Sequence, residues 1–229
     1  MTTAGVSVLT FAATSIVAAA SVVATVGTSA DASPLPSSVR AVEFPGRAAQ
    51  PERLDRPAPR LDLDRWLDRA EPLTLEQLRG RPVLVRWWTD TCPFCATSMP
   101  VLETLHRTYG PRGLAVLGVF HPKPAAAVDD ARVRRAADRF GVTFPIAVDA
   151  DWDALRRWWL GEGQGWTSVT FLLDADGLLR WIHPGGEFHP GDDGGPHWPR
   201  HDTCVREYDT LRTAVETLLN DAGKANGPG

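Results

Sequence analysis

Cysteine is scarce in this chain, with three in 229 residues, too few for a disulfide framework to replace a core. Excess positive charge is missing as well: the formal net charge is -4 at pH 7, so the electrostatic footprint of a nucleic-acid binder is absent and nucleic acid is not an expected partner. Nothing repeats internally, which excludes a solenoid or a propeller. What remains, 43% hydrophobic residues, suits one ordinary domain with appendages and a real core.

Charge is also absent from Met1 to Thr28, where Ala, Val, Ser and Thr dominate; the stretch runs into Ala30-Asp31-Ala32, an A-x-A cleavage pattern followed by Ser33. Residues 1–32 read as a secretory signal cleaved after Ala32. No Lys or Arg precedes the apolar stretch, the first basic residue being Arg40. An uncleaved N-terminal anchor is therefore a second reading, since the stretch is long enough to span a bilayer. A misassigned start codon is a third. Export to the periplasm or another extracytoplasmic part of the cell envelope is favoured, with a membrane tether if the segment is retained. Residues 33–60 carry Pro34, Pro36, Pro45, Pro51, Pro57 and Pro59, lack the apolar surface to offset ordering, and are expected to form a flexible spacer. The folded domain is expected at 61–221 and a disordered tail at 222–229.

Within that domain strands and helices alternate. Leu73 to Gly80 reads as a short helical turn closed by Gly, and Pro82 leads into the apolar run Val83-Leu84-Val85-Arg86-Trp87-Trp88. Leu114 to Phe120 is a continuous apolar run, the mark of a central strand. Met99, Val101, Leu102 and Leu105, with Pro100 as a kink, and later Val133, Ala136, Ala137 and Phe140, repeat at helical spacing. Phe144 to Val148 is a short strand and Asp151 to Leu160 a helix. Val169 to Leu173 and Leu178 to His183 flank Asp174-Ala175-Asp176-Gly177, a hairpin signal, and Leu211, Val215 and Leu218 mark a closing helix.

Directly after the first strand stands Cys92-Pro93-Phe94-Cys95. At the start of a helix, Cys92 meets unsatisfied N–H groups and the positive end of the dipole, which lower its pKa. Cys95, one turn on, can resolve a mixed disulfide. Half of a zinc site and a pair of structural cysteines are the competing readings. Of Trp87 and Trp88, alternating on a strand, one should enter the core and the other face the cysteines; Trp158, Trp159, Trp166 and Trp181 are candidates to wall the same end, although core packing accounts for most such residues.

The stretch Leu75 to Trp88, then Cys92 to Cys95 and Pro100, with Phe171-Leu172-Leu173-Asp174 and Ala175-Asp176-Gly177, resembles the TlpA/ResA-type thioredoxin-like proteins of bacterial cell envelopes over roughly Leu61 to Leu219. The resemblance implies an α/β thioredoxin-like fold, a mixed central sheet flanked by helices, with an extra loop near residues 184–204 before the C-terminal helix. It implies a thiol-disulfide oxidoreductase that reduces disulfides of exported proteins, with Cys92 as nucleophile and Cys95 as resolving thiol. No cofactor is implied beyond the redox-active Cys92-Cys95 disulfide. The partners are protein thiols and disulfides and, for a reductase, a membrane electron donor. Trp88, Pro93, Phe94, Thr167 and Ser168 are the expected substrate-contacting residues.

Two positions depart from the family. Ser168, after Thr167, stands where a cis-proline is usual, and a cis bond before a non-proline costs about 2.5–4 kcal/mol, so this loop is expected to be trans. Ser98 stands where many such reductases carry a proton-transferring glutamate. Asp90 is near enough in chain to tune the thiolate, or is a solvated turn residue; Glu187 is a remoter candidate acid. His183, His189, His197 and His201 share one Gly- and Pro-rich stretch ending at Cys204, and His197, His201 and Cys204 are weak candidates for a metal site. Cys204 is otherwise a buried thiol or an exposed one able to trap a partner. The alternative functions are a thiol peroxidase using Cys92, since Thr89-x-x-Cys92 echoes the peroxiredoxin Thr-x-x-Cys, and a metal- or copper-handling thioredoxin-like protein.

Overall fold

Val83–Trp88 forms a strand in which every residue is buried, the arginine included. The computed structural model describes residues 51–63, 65–191 and 201–225. The expected signal or anchor, most of the expected linker, His197 and residues 226–229 lie outside them. The elements are β1 (Val83–Trp88), α1 (Pro93–Tyr109), β2 (Ala115–Phe120), α2 (Asp130–Phe140), β3 (Ile146–Val148), α3 (Asp153–Trp158), β4 (Thr170–Leu173), β5 (Leu179–His183) and α4 (His201–Ala225). The sheet order is β3-β2-β1-β4-β5. β1, β2 and β3 run parallel, β4 pairs antiparallel with β1, and β5 closes the expected hairpin. This is the α/β thioredoxin-like arrangement, a mixed five-stranded sheet flanked by helices.

Alternation along β1 distributes its side chains between two cores. Leu84 and Trp88 join Leu102 and Leu105 of α1, Val133 and Phe140 of α2, and Leu211 and Val215 of α4. Val83, Val85 and Trp87 join Leu155 and Trp158 of α3, with Leu61, Leu63 and Trp66 from the segment before β1. Both faces are covered, which is why β1 and β2 read as nearly unbroken apolar runs. Each large side chain so buried contributes about 1.5–3 kcal/mol.

Residues 55–58, ahead of the expected Leu61, pair with β5 and the turn before it, partners that composition does not reveal. The Asp55 N–H donates to the Leu179 carbonyl (2.9 Å), the Leu179 N–H to Arg56 (2.9 Å), and the Ala58 N–H to Gly177 (3.0 Å). The prolines of this segment lack a donor, but the residues between them supply one. α1 continues through Pro100. α3 is shorter than expected: the Asp149 carboxylate accepts the Ala154 and Leu155 N–H groups at its start (3.1 and 2.8 Å), and Trp159 leaves helical geometry at φ -144. Among the described residues no helix is long and apolar enough to cross a membrane.

Candidate active site

β1 delivers the chain to the carboxyl edge of the parallel strands, where α1 begins. Cys92 is the N-cap residue of α1, in extended conformation (φ -91, ψ 118), and Pro93 follows inside the first turn, where its missing N–H has no intrahelical acceptor to lose. Cys92 is half-buried and Cys95, one turn deeper, is inaccessible; neither is joined in a disulfide.

The two sulfurs are electrostatically unlike. The Cys92 thiol is lowered to about 5, foremost because the Cys95 thiol donates to its sulfur; the Cys95 backbone N–H, the Ser168 hydroxyl and the charge of Arg86 act in the same direction, and burial opposes them. That same thiol-to-thiolate bond, together with burial, pushes Cys95 well above the ordinary thiol range. The pair is thus one half-buried sulfur held toward the thiolate and one sealed, protonated thiol, an asymmetry of the kind that thiol exchange uses.

The residues expected to contact substrate fall into two groups. Pro93 is exposed, Phe94 is half-buried, and the Phe94 ring lies 6.4 Å from that of Trp166, which is 53% exposed. Gly185, at φ +133, lets the backbone close behind this indole, since a Cβ there would stand 2.8 Å from the Trp166 Cβ. Trp88 does not belong to this lip. It is fully buried, edge-on to Phe120 (5.0 Å) and Phe140 (5.8 Å), because α1 and α2 cover its face. Gly118 leaves the space its indole fills: a Cβ there would lie 3.0 Å from Trp88 Nε1. Thr167 and Ser168 are also buried, and Ser168 faces the dithiol, its Oγ 3.3 Å from Cys95 Sγ. Among the described residues the one cis peptide bond is Lys123-Pro124, so Thr167-Ser168 is trans as expected. Trp158 packs on Trp87 across the sheet from the thiols (5.1 Å) and, with Trp159, walls the opposite core.

Arg86 is the residue that sequence reasoning passed over. Its side chain lies on the Trp88 face of β1, fully buried, donating to Thr170 Oγ1 (2.8 Å) and the Gly186 carbonyl (3.3 Å), with its guanidinium 5.6 Å from the Phe188 ring centre. The available signal was one arginine inside an otherwise apolar buried run, a place where a charge is rarely found without a purpose. Ser98 is buried and accepts the Phe188 N–H (3.3 Å), so the segment after β5 backs directly onto α1. His121, at the end of β2, is buried, stands edge-on to Trp152 (5.4 Å) and is held neutral, its pKa lowered to about 3 chiefly by burial.

Asp90 is a structural anchor. Its carboxylate takes the Arg132 guanidinium in both oxygens (2.8 and 2.9 Å), which lowers its pKa, and its carbonyl accepts from Arg139 (2.9 Å). The Thr89 hydroxyl donates to Asp90 Oδ1 (3.3 Å). Of the expected metal candidates, His197 lies outside the described residues and His201 opens α4; Cys204, in the first turn of α4, is buried with Sγ 4.0 Å from Glu187 Oε1.

Comparison with known proteins places this geometry. Protein DipZ of Mycobacterium tuberculosis is 32% identical over 163 residues, covering 69% of this chain and 20% of DipZ. Thiol-disulfide oxidoreductase ResA of Halalkalibacterium halodurans is 28% identical over 117 residues, 51% of this chain and 61% of ResA. The chain thus spans less than two thirds of either relative. A thiol-disulfide isomerase from Corynebacterium glutamicum superposes with a TM-score of 0.52 at 25% identity, over 71% of this chain and 96% of that one. The family model for Redoxin matches residues 54–193, a span that holds β1 to β5 and the dithiol, and on that match the chain belongs to the redoxin family.

Proposed function

We propose that this chain is a thiol-disulfide oxidoreductase that reduces disulfides of exported proteins, with Cys92 as the nucleophile and Cys95 as the resolving thiol. The observation that carries the reading is the asymmetry of the pair, a half-buried Cys92 lowered to about 5 beside a sealed Cys95 pushed upward. The Cys92 thiolate attacks one sulfur of a substrate disulfide, forming a mixed disulfide and expelling the other sulfur as a thiolate. Once the Cys92 charge is consumed in that bond, the hydrogen bond and repulsion that keep Cys95 protonated are gone. Cys95 then loses its proton to the departing thiolate or to water and attacks Cys92 Sγ, so that two electrons pass to the substrate and the Cys92-Cys95 disulfide remains. Phe94 and Trp166 are the surface against which an unfolded chain rests.

A stabilised thiolate favours the reduced enzyme, which places the couple on the oxidising side of thioredoxin, about -270 mV. A reductase of that potential needs a donor that keeps it reduced. The N-terminal segment supports export and either cleavage or tethering, and a membrane electron donor is the partner we assign. Redox titration of the Ser33–Gly229 chain, with thiols trapped and counted by mass spectrometry, tests this. A two-electron Cys92-Cys95 couple close to that of thioredoxin, about -270 mV, with Cys204 unchanged supports the assignment, and one near the oxidising end, about -120 mV, overturns its direction. A bridge that includes Cys204, or sulfenate formation at Cys92 faster than disulfide exchange, overturns it.

A further inference from the structure

Behind the dithiol the segment after β5 meets the first turn of α4 and brings three ligand-bearing side chains together. Glu187, His189 and Cys204 are 4%, 0% and 7% exposed, and one ligand atom from each lies within 4.8 Å of the others. We propose that these residues form a zinc-type metal site, distinct from the Cys92-Cys95 pair.

The donor set argues for the ion. A thiolate, an imidazole and a carboxylate together suit a borderline divalent ion such as Zn²⁺ and disfavour Mg²⁺ or Ca²⁺, which seek oxygen ligands alone. His189 is oriented as a ligand should be: Nδ1 is 2.9 Å from the Pro190 carbonyl, a group that only accepts, so Nδ1 carries the proton and Nε2 the lone pair. Cys204 Sγ and Glu187 Oε1 already stand 4.0 Å apart, so one ion could take both as ligands. Bonds of about 2.0–2.3 Å separate tetrahedral ligands by about 3.5 Å, so side-chain closure of about an ångström completes the site and leaves a fourth position for water.

The site sits where occupancy would be felt. Its loop also contributes the Gly186 carbonyl to Arg86 and the Phe188 N–H to Ser98, while His183 Nε2 and Glu207 Oε2 join β5 to α4 at 2.8 Å. A metal bridging Glu187, His189 and Cys204 would staple α4 to the wall of the dithiol. No electron or group transfer is involved.

The test uses the untagged Ser33–Gly229 chain with Cys92→Ser and Cys95→Ser, so that the dithiol binds nothing and thiol exchange has no part in the result. Titration with Co²⁺ should give one equivalent bound with a thiolate-to-cobalt charge-transfer band, displaced by Zn²⁺, and a higher melting temperature with metal. Adding Cys204→Ser should remove the band, and Glu187→Gln or His189→Ala should each weaken Co²⁺ at least tenfold. Absence of the band in the parent, or its persistence with Cys204→Ser, overturns the site. If the Cys204 variant fails to fold, Glu187→Gln decides: unchanged Co²⁺ affinity overturns the proposal.

Discussion

The two faces of the sheet are made from one alternating strand, yet they are built on different terms. On the face away from the thiols Trp87, Trp158 and Phe171 pack ring against ring at 5.1 to 5.7 Å, and the buried Asp149 beside them spends its carboxylate on Trp87 Nε1 (3.1 Å) and two N–H groups of α3. On the other face β1 places Arg86 between Leu84 and Trp88, and the same core takes in Cys95 and the flank of Cys92. Among the described residues Arg86 makes no ion pair; hydroxyl, carbonyl and aromatic partners hold it, and its charge reaches both sulfurs. Burying a cation is costly, and the charge of Arg86 offsets part of that cost by favouring the Cys92 thiolate. One face therefore holds the fold and the other holds a charge in readiness.

The comparison breaks most visibly at the thiols. Cys92→Ser should lower disulfide exchange at least about a thousandfold, because only uncatalysed exchange remains. Cys95→Ser should keep the first step and accumulate a mixed disulfide through Cys92, seen as a mass increase on non-reducing analysis. Next in size is the opposite face: Trp158→Ala should cost about 3–5 kcal/mol in denaturant unfolding, while the alkylation midpoint of Cys92 stays where it was. A change in that midpoint would mean that the faces are not independent.

What could be read from residues alone follows the same division. The Val83–Trp88 run, the Asp174–Gly177 hairpin and the apolar faces of α1, α2 and α4 were legible because period and turn chemistry are local. The dithiol was legible for the same reason. The Cys95–Ser168 contact joins residues 73 apart, and the Arg86 partners Thr170 and Gly186 lie 84 and 100 residues away, so no window contains them. Alternation gives the face of the Trp88 side chain and not what covers it, so its burial under α1 and α2 is not legible in the strand. The proline-rich composition of residues 51–60 reads as linker because it says nothing of the β5 edge that residues 55–58 pair with. Asp90 could be narrowed only to two readings until Arg132 was found against it.

Titration sharpens the contrast between the sulfurs. Cys92 is held at about 5, below its unfolded value of about 8.5, so its thiolate stabilises the reduced fold fully above pH about 8.5, and the benefit disappears as pH falls through about 5. Reduced wild type should gain stability over Cys92→Ser across that window on raising the pH. Cys95 has the opposite sign: raised in the fold, it withdraws stability only above its unfolded range. Alkylation with iodoacetamide should therefore label Cys92 alone with a midpoint near 5. A midpoint near 8.5, or equal labelling of Cys95, would contradict the described hydrogen bonds.

Ser168→Ala removes the hydroxyl that supports the Cys92 thiolate and meets Cys95 Sγ. The Cys92 midpoint should rise, the couple should become more reducing, and stability should fall by about 0.5–1.5 kcal/mol for the lost bond. Alkylation rate against pH and equilibrium unfolding measure the two effects separately.

Arg86→Met should move the Cys92 midpoint upward least of these, since the charge acts on Cys92 after its hydrogen bonds do. Its value lies in the sign of the stability change. An apolar side chain of similar length removes a buried charge that no carboxylate among the described residues compensates, which relieves the desolvation cost of burying an ion. The same substitution leaves Thr170 Oγ1 and the Gly186 carbonyl without their donor, which costs about 1–3 kcal/mol for each group left unsatisfied. Near-cancellation is the expected outcome in the oxidised protein, where Cys92 carries no charge. In the reduced protein at pH 7 the thiolate loses its nearby cation as well, so the variant should be less stable reduced than oxidised relative to wild type. Equal changes in the two redox states would make Arg86 a packing residue and erase the distinction between the faces.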